Sequence, residues 1–277
     1  MLQQNNYTFH NTNIFFCMNK NVDDIISYVN TIWNEMTQSH PEKSQTKSFD
    51  ENSLNLLSQN SNSVIAIISL KNYKELYLSS NVEKIWGYSH QTNPIIGILQ
   101  YIKMISFDHA LFPIIAGKWY LKRLNSAKYE EKINQKAVFV GVKFKTRFGK
   151  TNRTFIHTSH LDEDEKRNPI NLINMVQDIS HFMKDDFWWM RFSWGENSEF
   201  INYYHSTTGK TVEGDIISDR EKDILRLINQ GMDSPEIAET LFLSISTIHT
   251  HRKNMLARTG MKDVTALLQI AISIGMI

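Results

Sequence analysis

Cysteine is almost missing from this 277-residue chain, and Cys17 is the single one. One thiol cannot close an intramolecular disulfide, so a disulfide scaffold is excluded and a reducing compartment is the expectation. No CxxC partner or basic cluster flanks Cys17, which reads as a small apolar residue in or near a strand. Long apolar runs are missing too. The longest, Pro94 to Ile102 and Leu111 to Ala116, fall short of the roughly 20 residues a membrane-spanning helix needs. The first residues lack the basic start and apolar core of a signal peptide. A soluble, cytoplasmic protein with no membrane partner is expected. Bulk charge is also lacking: the net value of +1 rules out coating nucleic acid through overall charge, while a focused basic site stays open.

Several chemical signatures are absent as well. There is no GxxxxGK[ST] phosphate loop, no GxSxG elbow, no paired carboxylates and no nucleophile–base constellation, so an enzyme is not expected and no catalytic residue is assigned. The front half lacks the acidic pair and later aspartate of a phosphorylated receiver. His157 and His160, followed by Asp162, Glu163, Asp164 and Glu165, resemble a metal set only superficially. Strand positions three apart face opposite sides, and no metal is expected. Ten histidines leave haem open, but none stands out, so cofactor and ligand-binding residues are unassigned.

What is present divides the chain. Its length suits two domains. Residues 1–58 read as an N-terminal strand and helix segment: Ile14 to Phe16 as a strand, then Val22, Ile25, Ile26, Val29, Ile32, Trp33 and Met36 at helical spacing, then a polar loop from Gln38 to Glu51. Residues 59–184 change pattern. Val64 to Ile68 and Glu75 to Ser79 form a candidate hairpin, and Asn81 to Tyr88 a short helical turn ended by Gly87. Residues 94–128 lean helical. Ala137 to Thr146 and Arg153 to His160 read as strands joined through Phe148-Gly149-Lys150. An acidic loop, Asp162 to Arg167, leads to a last strand, Asn171 to Ile179. Residues 185–214 carry Phe187, Trp188, Trp189, Phe192, Trp194, Phe200, Tyr203 and Tyr204. A free linker would be poor in aromatics, so this connector must bury against something, the sheet or residues 1–36, with a role at a ligand as the alternative. Thr207 to Gly214, polar with two glycines, reads as the hinge.

Two strands, short helices, then three antiparallel strands is an order that resembles a PAS domain. Asn81 to Tyr88 is similar to that family's exit from a strand through Asn into a short helix, and Val176 to Ile179 to its closing strand. The light-sensing relatives' Cys-containing flavin motif is missing.

Residues 215–277 are the most informative. Ser218 and Glu221 form a capping box for a helix carrying Ile224, Leu225, Leu227 and Ile228 and stopping at Gly231. Ser234-Pro235-Glu236 opens a second helix, with Ser234 as the expected cap and Pro235 at the first position. Phe242-Leu243-Ser244 turns the chain into a third helix that Gly260 ends. From Ser246 to Lys262 there is no acidic residue. At about 100° per residue, Ile248, Met255 and Thr259 share a core face, opposite Thr250, Lys253, Asn254 and Ala257 with His249 at the margin. Asp263 can cap a last helix, apolar around most of its circumference, which wants cover on two sides.

Ile217 to Glu221, Gly231, Glu236 to Ala238, Leu243-Ser244 and Thr247-Ile248 through His251 resemble the LuxR-type helix-turn-helix without a gap. The resemblance implies a four-helix domain whose third helix enters the major groove and whose fourth often supplies a dimer contact. The family's base-contacting positions fall on His249, Thr250 and Lys253. His249 departs from the usual Lys, and a neutral His brings one donor and no charge. Lys253 suits guanine O6 and N7, and the Thr250 methyl suits a thymine methyl. Base reading is assigned to His249, Thr250, Lys253 and Asn254, and phosphate contact to Ser246, Thr247, Arg252 and Arg258. His251 flanks the core face.

The expected fold is α+β: an antiparallel-sheet PAS-like domain plus an all-α four-helix helix-turn-helix domain. The expected function is a transcription regulator that binds double-stranded DNA as a homodimer. A small molecule or the dimer state, sensed by the PAS-like part, would set the spacing of the DNA-binding domains. A ligand-free PAS-like platform for dimerisation or protein contact is the alternative, and a catalytic front half is the least favoured.

Overall fold

The computed structural model describes residues 50–70, 74–89, 104–106, 109, 116, 127–132, 134–165, 168–195 and 200–277. Cys17, the Val22 to Met36 helix and most of the 94–128 stretch lie outside the described residues. The class is α+β, as expected: an eight-stranded antiparallel sheet followed by four helices.

The chain enters through helix α1 (Glu51–Ser61), where a loop or linker was expected as far as Glu51. Asp50 caps it by accepting from the Asn52 amide. The strands that follow are β1 (Val64–Ser69), β2 (Glu75–Leu78), β3 (Lys136–Lys145), β4 (Thr151–Glu163), β5 (Pro169–Asp178), β6 (Trp189–Trp194), β7 (Phe200–His205) and β8 (Lys210–Glu213). They lie in the order β2-β1-β5-β4-β3-β6-β7-β8. Between β2 and β3 come the short helix α2 (Val82–Trp86), ended by Gly87 at φ 76°, and a 3-10 turn at Tyr129–Lys132. The Asn81 amide donates to the Ser58 and Ser63 carbonyls and accepts from Ser79 Oγ, tying α1, β1 and the end of β2 together.

Two features differ from the sequence expectation. The acidic loop begins later, because β4 continues to Glu163. Asp162 is buried there, its carboxylate accepting from the Asn171 amide and side chain. More important, residues 185–214 are folded into the sheet. β6, β7 and β8 extend it by three strands beyond β3, and Thr207 to Gly214, read as a hinge, is a tight turn followed by β8. The aromatics sit in this extension: Trp189, Phe192, Trp194 and Tyr204 are buried on its strands and Trp188 just before them. Strand pairing explains the density of large side chains, since each alternate residue meets a packed layer.

The sheet has two covered faces. Its interior face gathers Val64, Trp86, Met104, Ala137, Phe139, Val142, Phe144, Ile156, Met190, Phe192 and Trp194 into one cluster. On the other face, α1 covers Ile65 and Ile67 through Leu54. Farther along it, Val138, Val140, Phe155 and Trp189 share a cluster with Ile217, Ile248, Met255, Met261 and Leu267 of the C-terminal helices. Strict alternation along β3 would put Val142 and Phe144 with Val140. A bulge at Gly141, φ 87°, inserts one residue and returns both to the interior face. Only glycine suits this position: a Cβ would lie 2.6 Å from the Phe187 carbonyl oxygen.

Candidate nucleic-acid interface

The four C-terminal helices are α3 (Asp219–Asn229), α4 (Ser234–Thr240), α5 (Ile245–Thr259) and α6 (Val264–Ser273). Local chemistry defines each start. Ser218 and Glu221 make the expected reciprocal capping box. At α4 the cap is one residue earlier than expected. Asp233 accepts from the Glu236 amide and Glu236 reaches back, which puts Ser234 inside the helix and Pro235 within its first two positions. A carboxylate competes well for a cap because it accepts more strongly at the positive helix end. Ser244 caps α5 and Asp263 caps α6, each accepting from the amide three residues on. Between α4 and α5 the backbone turns through Phe242 at φ 55°.

α5 is two-sided. Ile248, Met255 and Thr259 are buried, while His249, Thr250, Lys253, Asn254 and Ala257 are exposed. His249, Lys253 and Asn254 make no side-chain hydrogen bond or ion pair among the described residues. The Thr250 hydroxyl donates to the Ser246 carbonyl at 2.9 Å, leaving its methyl and lone pairs for an outside group. At the N-terminus, Ser244 Oγ lies 2.7 Å from Ser246 Oγ and 2.8 Å from Thr247 Oγ1. These hydroxyls surround the positive end of a helix with no acidic residue in its first turn, an arrangement suited to a phosphate.

The two arginines of α5 are placed otherwise. Arg252 donates to Ser234 Oγ at 2.7 Å and so links α5 to α4. Arg258 stands apart from the exposed group. Its Nε donates to the Ile216 carbonyl at 2.7 Å and its terminal nitrogen pairs with the buried Glu221 carboxylate. Glu221 also accepts from the Ser218 amide, and His251 lies 3.9 Å from it. Arg258 is thus a buttress between α3 and α5, a role that charge alone could not reveal: a solvated cation and one neutralising a buried carboxylate look identical in sequence.

The C-terminal end of α5 meets the sheet. The Arg258 carbonyl accepts from His205 Nε2 at 3.1 Å, the Thr259 carbonyl from Trp189 Nε1 at 3.0 Å, and the Gly260 carbonyl from the Lys184 amide at 2.8 Å. The Lys262 amide donates to the Phe182 carbonyl, so that Met183 and Met261 form a bridge pair. Asp215, at the entry to α3, is buried between Arg191 of β6 (3.1 Å) and Lys222 (3.4 Å). His205 holds one tautomer, because Nε2 must donate to the Arg258 carbonyl while Nδ1 accepts from the Thr207 amide. Burial pushes its pKa below the usual histidine value, partly opposed by the Arg258 carbonyl. None of this contact was foreseen. The aromatic density of 185–204 signalled burial, but the partner surface is set by tertiary packing.

His157 and His160 both have pKa values lowered by burial, His160 to about 4. Among the described residues no group of histidines, cysteines and carboxylates is arranged to hold a metal, and no helix is long and apolar enough to cross a membrane.

Comparison with known proteins supports the same segment. Residues 215–271 match the model of bacterial regulatory proteins, luxR family. The oxygen regulatory protein NreC of Staphylococcus aureus is 34% identical over 76 residues, 27% of this chain and 35% of NreC. The chain therefore spans about a third of the length of the curated relatives it matches. A phage VqmA–DPO complex aligns over 81% of this chain and 89% of its own, at 14% identity and a TM-score of 0.31. The N-terminal PAS/PAC sensor domain of a Marinobacter aquaeolei diguanylate cyclase aligns over 43% and 96%, at 14% identity and a TM-score of 0.32. Such scores do not define an overall arrangement, and the assignment rests on the C-terminal match and the helix geometry. Residues 215–271 form a LuxR-type helix-turn-helix domain, which this chain carries after its eight-stranded antiparallel sheet.

Proposed function

We propose that the chain is a sequence-specific, DNA-binding transcription regulator that places α5 in the major groove. His249, Thr250, Lys253 and Asn254 read base edges, and Ser246 and Thr247 meet phosphate, with Arg252 near the same backbone. The observation that carries this reading is the division of α5. A buried seam of Ile248, Met255 and Thr259 fixes the helix, and the opposite face is polar, free of acidic residues and open. Arg258 is left out of the phosphate set because its guanidinium is already paired.

The chain works as a homodimer on a two-fold site. Ile272 and, in part, Leu268 and Ile274 remain accessible on α6, an apolar helix whose other side is buried. A small molecule held in the PAS-like interior sets DNA affinity. Supporting this, Trp86 is fully buried there and its Nε1–H has no acceptor among the described residues, a cost that a ligand carbonyl or hydroxyl would remove. Selection of duplexes from a random pool by the full-length chain tests the first claim: recovery of a two-fold consensus is the expected result, and recovery of unrelated sequences would refute it. Native mass spectrometry of the purified protein tests the second, which fails if only the bare chain mass is found.

A further inference from the structure

The last turn of any helix leaves carbonyls without intrahelical partners. At the end of α5 the Leu256 carbonyl accepts from the Gly260 amide, and three carbonyls beyond it are satisfied by the sheet and the segment before β6. Arg258, Thr259 and Gly260 offer carbonyls in succession, and His205, Trp189 and the Lys184 amide donate to them in succession. Each contact comes from outside the helical domain, and the donors span β6, β7 and the segment before β6. We infer that Trp189 and His205 are positioning residues for DNA recognition: the PAS-like sheet acts as the C-terminal cap of the recognition helix and mounts it rigidly for the groove. This inference rests on the DNA-binding reading above and adds how the reading face is held.

Three observations favour a mount over an inhibitory cover. The contact engages only the C-terminal end of α5, while a recognition helix reads bases chiefly through its N-terminal residues. His249, Thr250, Lys253 and Asn254 all stay exposed with the contact formed. The contact is also continuous with a buried apolar cluster and with the buried Arg191–Asp215 pair, so the helical domain does not swing on a tether. A tethered domain would lose that freedom on binding, which a docked one has already given up. β6 makes the mount responsive. Trp189 and Arg191 face the helices, while the alternating Met190, Phe192 and Trp194 line the interior cluster, so a shift of the strand caused on one face is felt on the other.

The test uses the full-length chain and the duplex it selects from a random pool. Trp189→Phe keeps an aromatic ring and removes the N–H that serves the Thr259 carbonyl, and should weaken binding about tenfold at temperatures far below unfolding. His205→Phe should act in the same direction. Met183 and Met261 are a non-hydrogen-bonded antiparallel pair, the geometry in which side chains approach most closely. In a Cys17→Ser background, Met183→Cys with Met261→Cys should therefore form a disulfide that locks the docked state. The oxidised lock should bind DNA at least as tightly as its reduced form and should restore affinity to Trp189→Phe. Loss of binding on oxidation, regained with dithiothreitol, would show the contact to be inhibitory and overturn the inference. Unchanged affinity in both Trp189→Phe and His205→Phe would overturn it as well. If the unaltered chain selected no duplex, the DNA-binding reading itself would fall, and this inference with it.

Discussion

The outward face and the C-terminal end of α5 share one helix and differ in almost everything else. Its outward face carries exposed His249, Thr250, Lys253 and Asn254, of which only Thr250 makes a side-chain hydrogen bond among the described residues, and its N-terminus a cluster of hydroxyls bonded to one another. Its C-terminal end carries Arg258, Thr259 and Gly260, whose backbone carbonyls and one guanidinium are all engaged, two of the contacts by the sheet and one by the segment before β6. The lesson is that charge along a helix is not one property. Lys253 is a cation left in water, whereas Arg258 neutralises a buried carboxylate. Only the first can be given to DNA without cost to the fold.

The strongest way to break this contrast is to spoil the docked end from beneath. Gly141 supports Phe187 and Met183, both of which also lie against Gly260. Gly141→Ala would meet the Phe187 carbonyl and hold φ 87° with a Cβ, so we expect a loss of about 3 kcal/mol or more, read from the denaturant midpoint. A change below about 0.5 kcal/mol would mean that the bulge tolerates a side chain. Next, Arg258→Ala should cost about 2 kcal/mol of stability by leaving Glu221 buried without its partner, discounted for the partial exposure of Arg258. The slope of log affinity against log salt should stay unchanged. A slope reduced by about one phosphate would return Arg258 to the DNA contacts.

On the open face, Lys253→Ala should leave stability within about 0.5 kcal/mol and reduce discrimination by about 1–3 kcal/mol at one base position. Equal losses on every sequence would instead mark Lys253 as a phosphate contact. The smallest effect concerns pH. The folded pKa of His205 lies below its unfolded value of about 6.5, so the unfolded chain binds more protons between the two. The stabilisation is complete above about pH 6.5 and is lost as pH falls through the folded value. Amide exchange at Thr259 and Gly260 should accelerate over that window, and His205→Phe should remove the dependence at this site.

The caps, turns and seam of the C-terminal helices were legible because they are local. Ser218 with Glu221, Ser244 with the Thr247 amide, and Gly260 at φ 71° act within one helical turn, where sequence spacing equals spatial spacing. The cap of α4 shows the margin of such reading: Asp233 and Ser234 both qualify by type, and the carboxylate holds the position. The hairpin, the short helix after Asn81 and three further strands were legible through period and turn residues. Harder cases were those in which two distant segments had to meet. Residues 185–214 contain alternating aromatics that were read as a connector, because nothing in that stretch says that its partner is the edge of β3.

The sequence by itself determined that α5 would start at Ser244, bury Ile248, Met255 and Thr259, and turn a basic, acid-free face outward, since helical periodicity and capping are properties of neighbours along the chain. Tertiary structure alone decided that Arg258 belongs to Glu221, that β6 to β8 continue the sheet, and that Trp189 and His205 close the end of α5. The physical reason is that an unpaired carbonyl or buried carboxylate demands a partner without specifying where in the chain it comes from. Which group answers depends on the packing of segments far apart in the chain, 37 residues between Glu221 and Arg258 and 70 between Trp189 and Thr259.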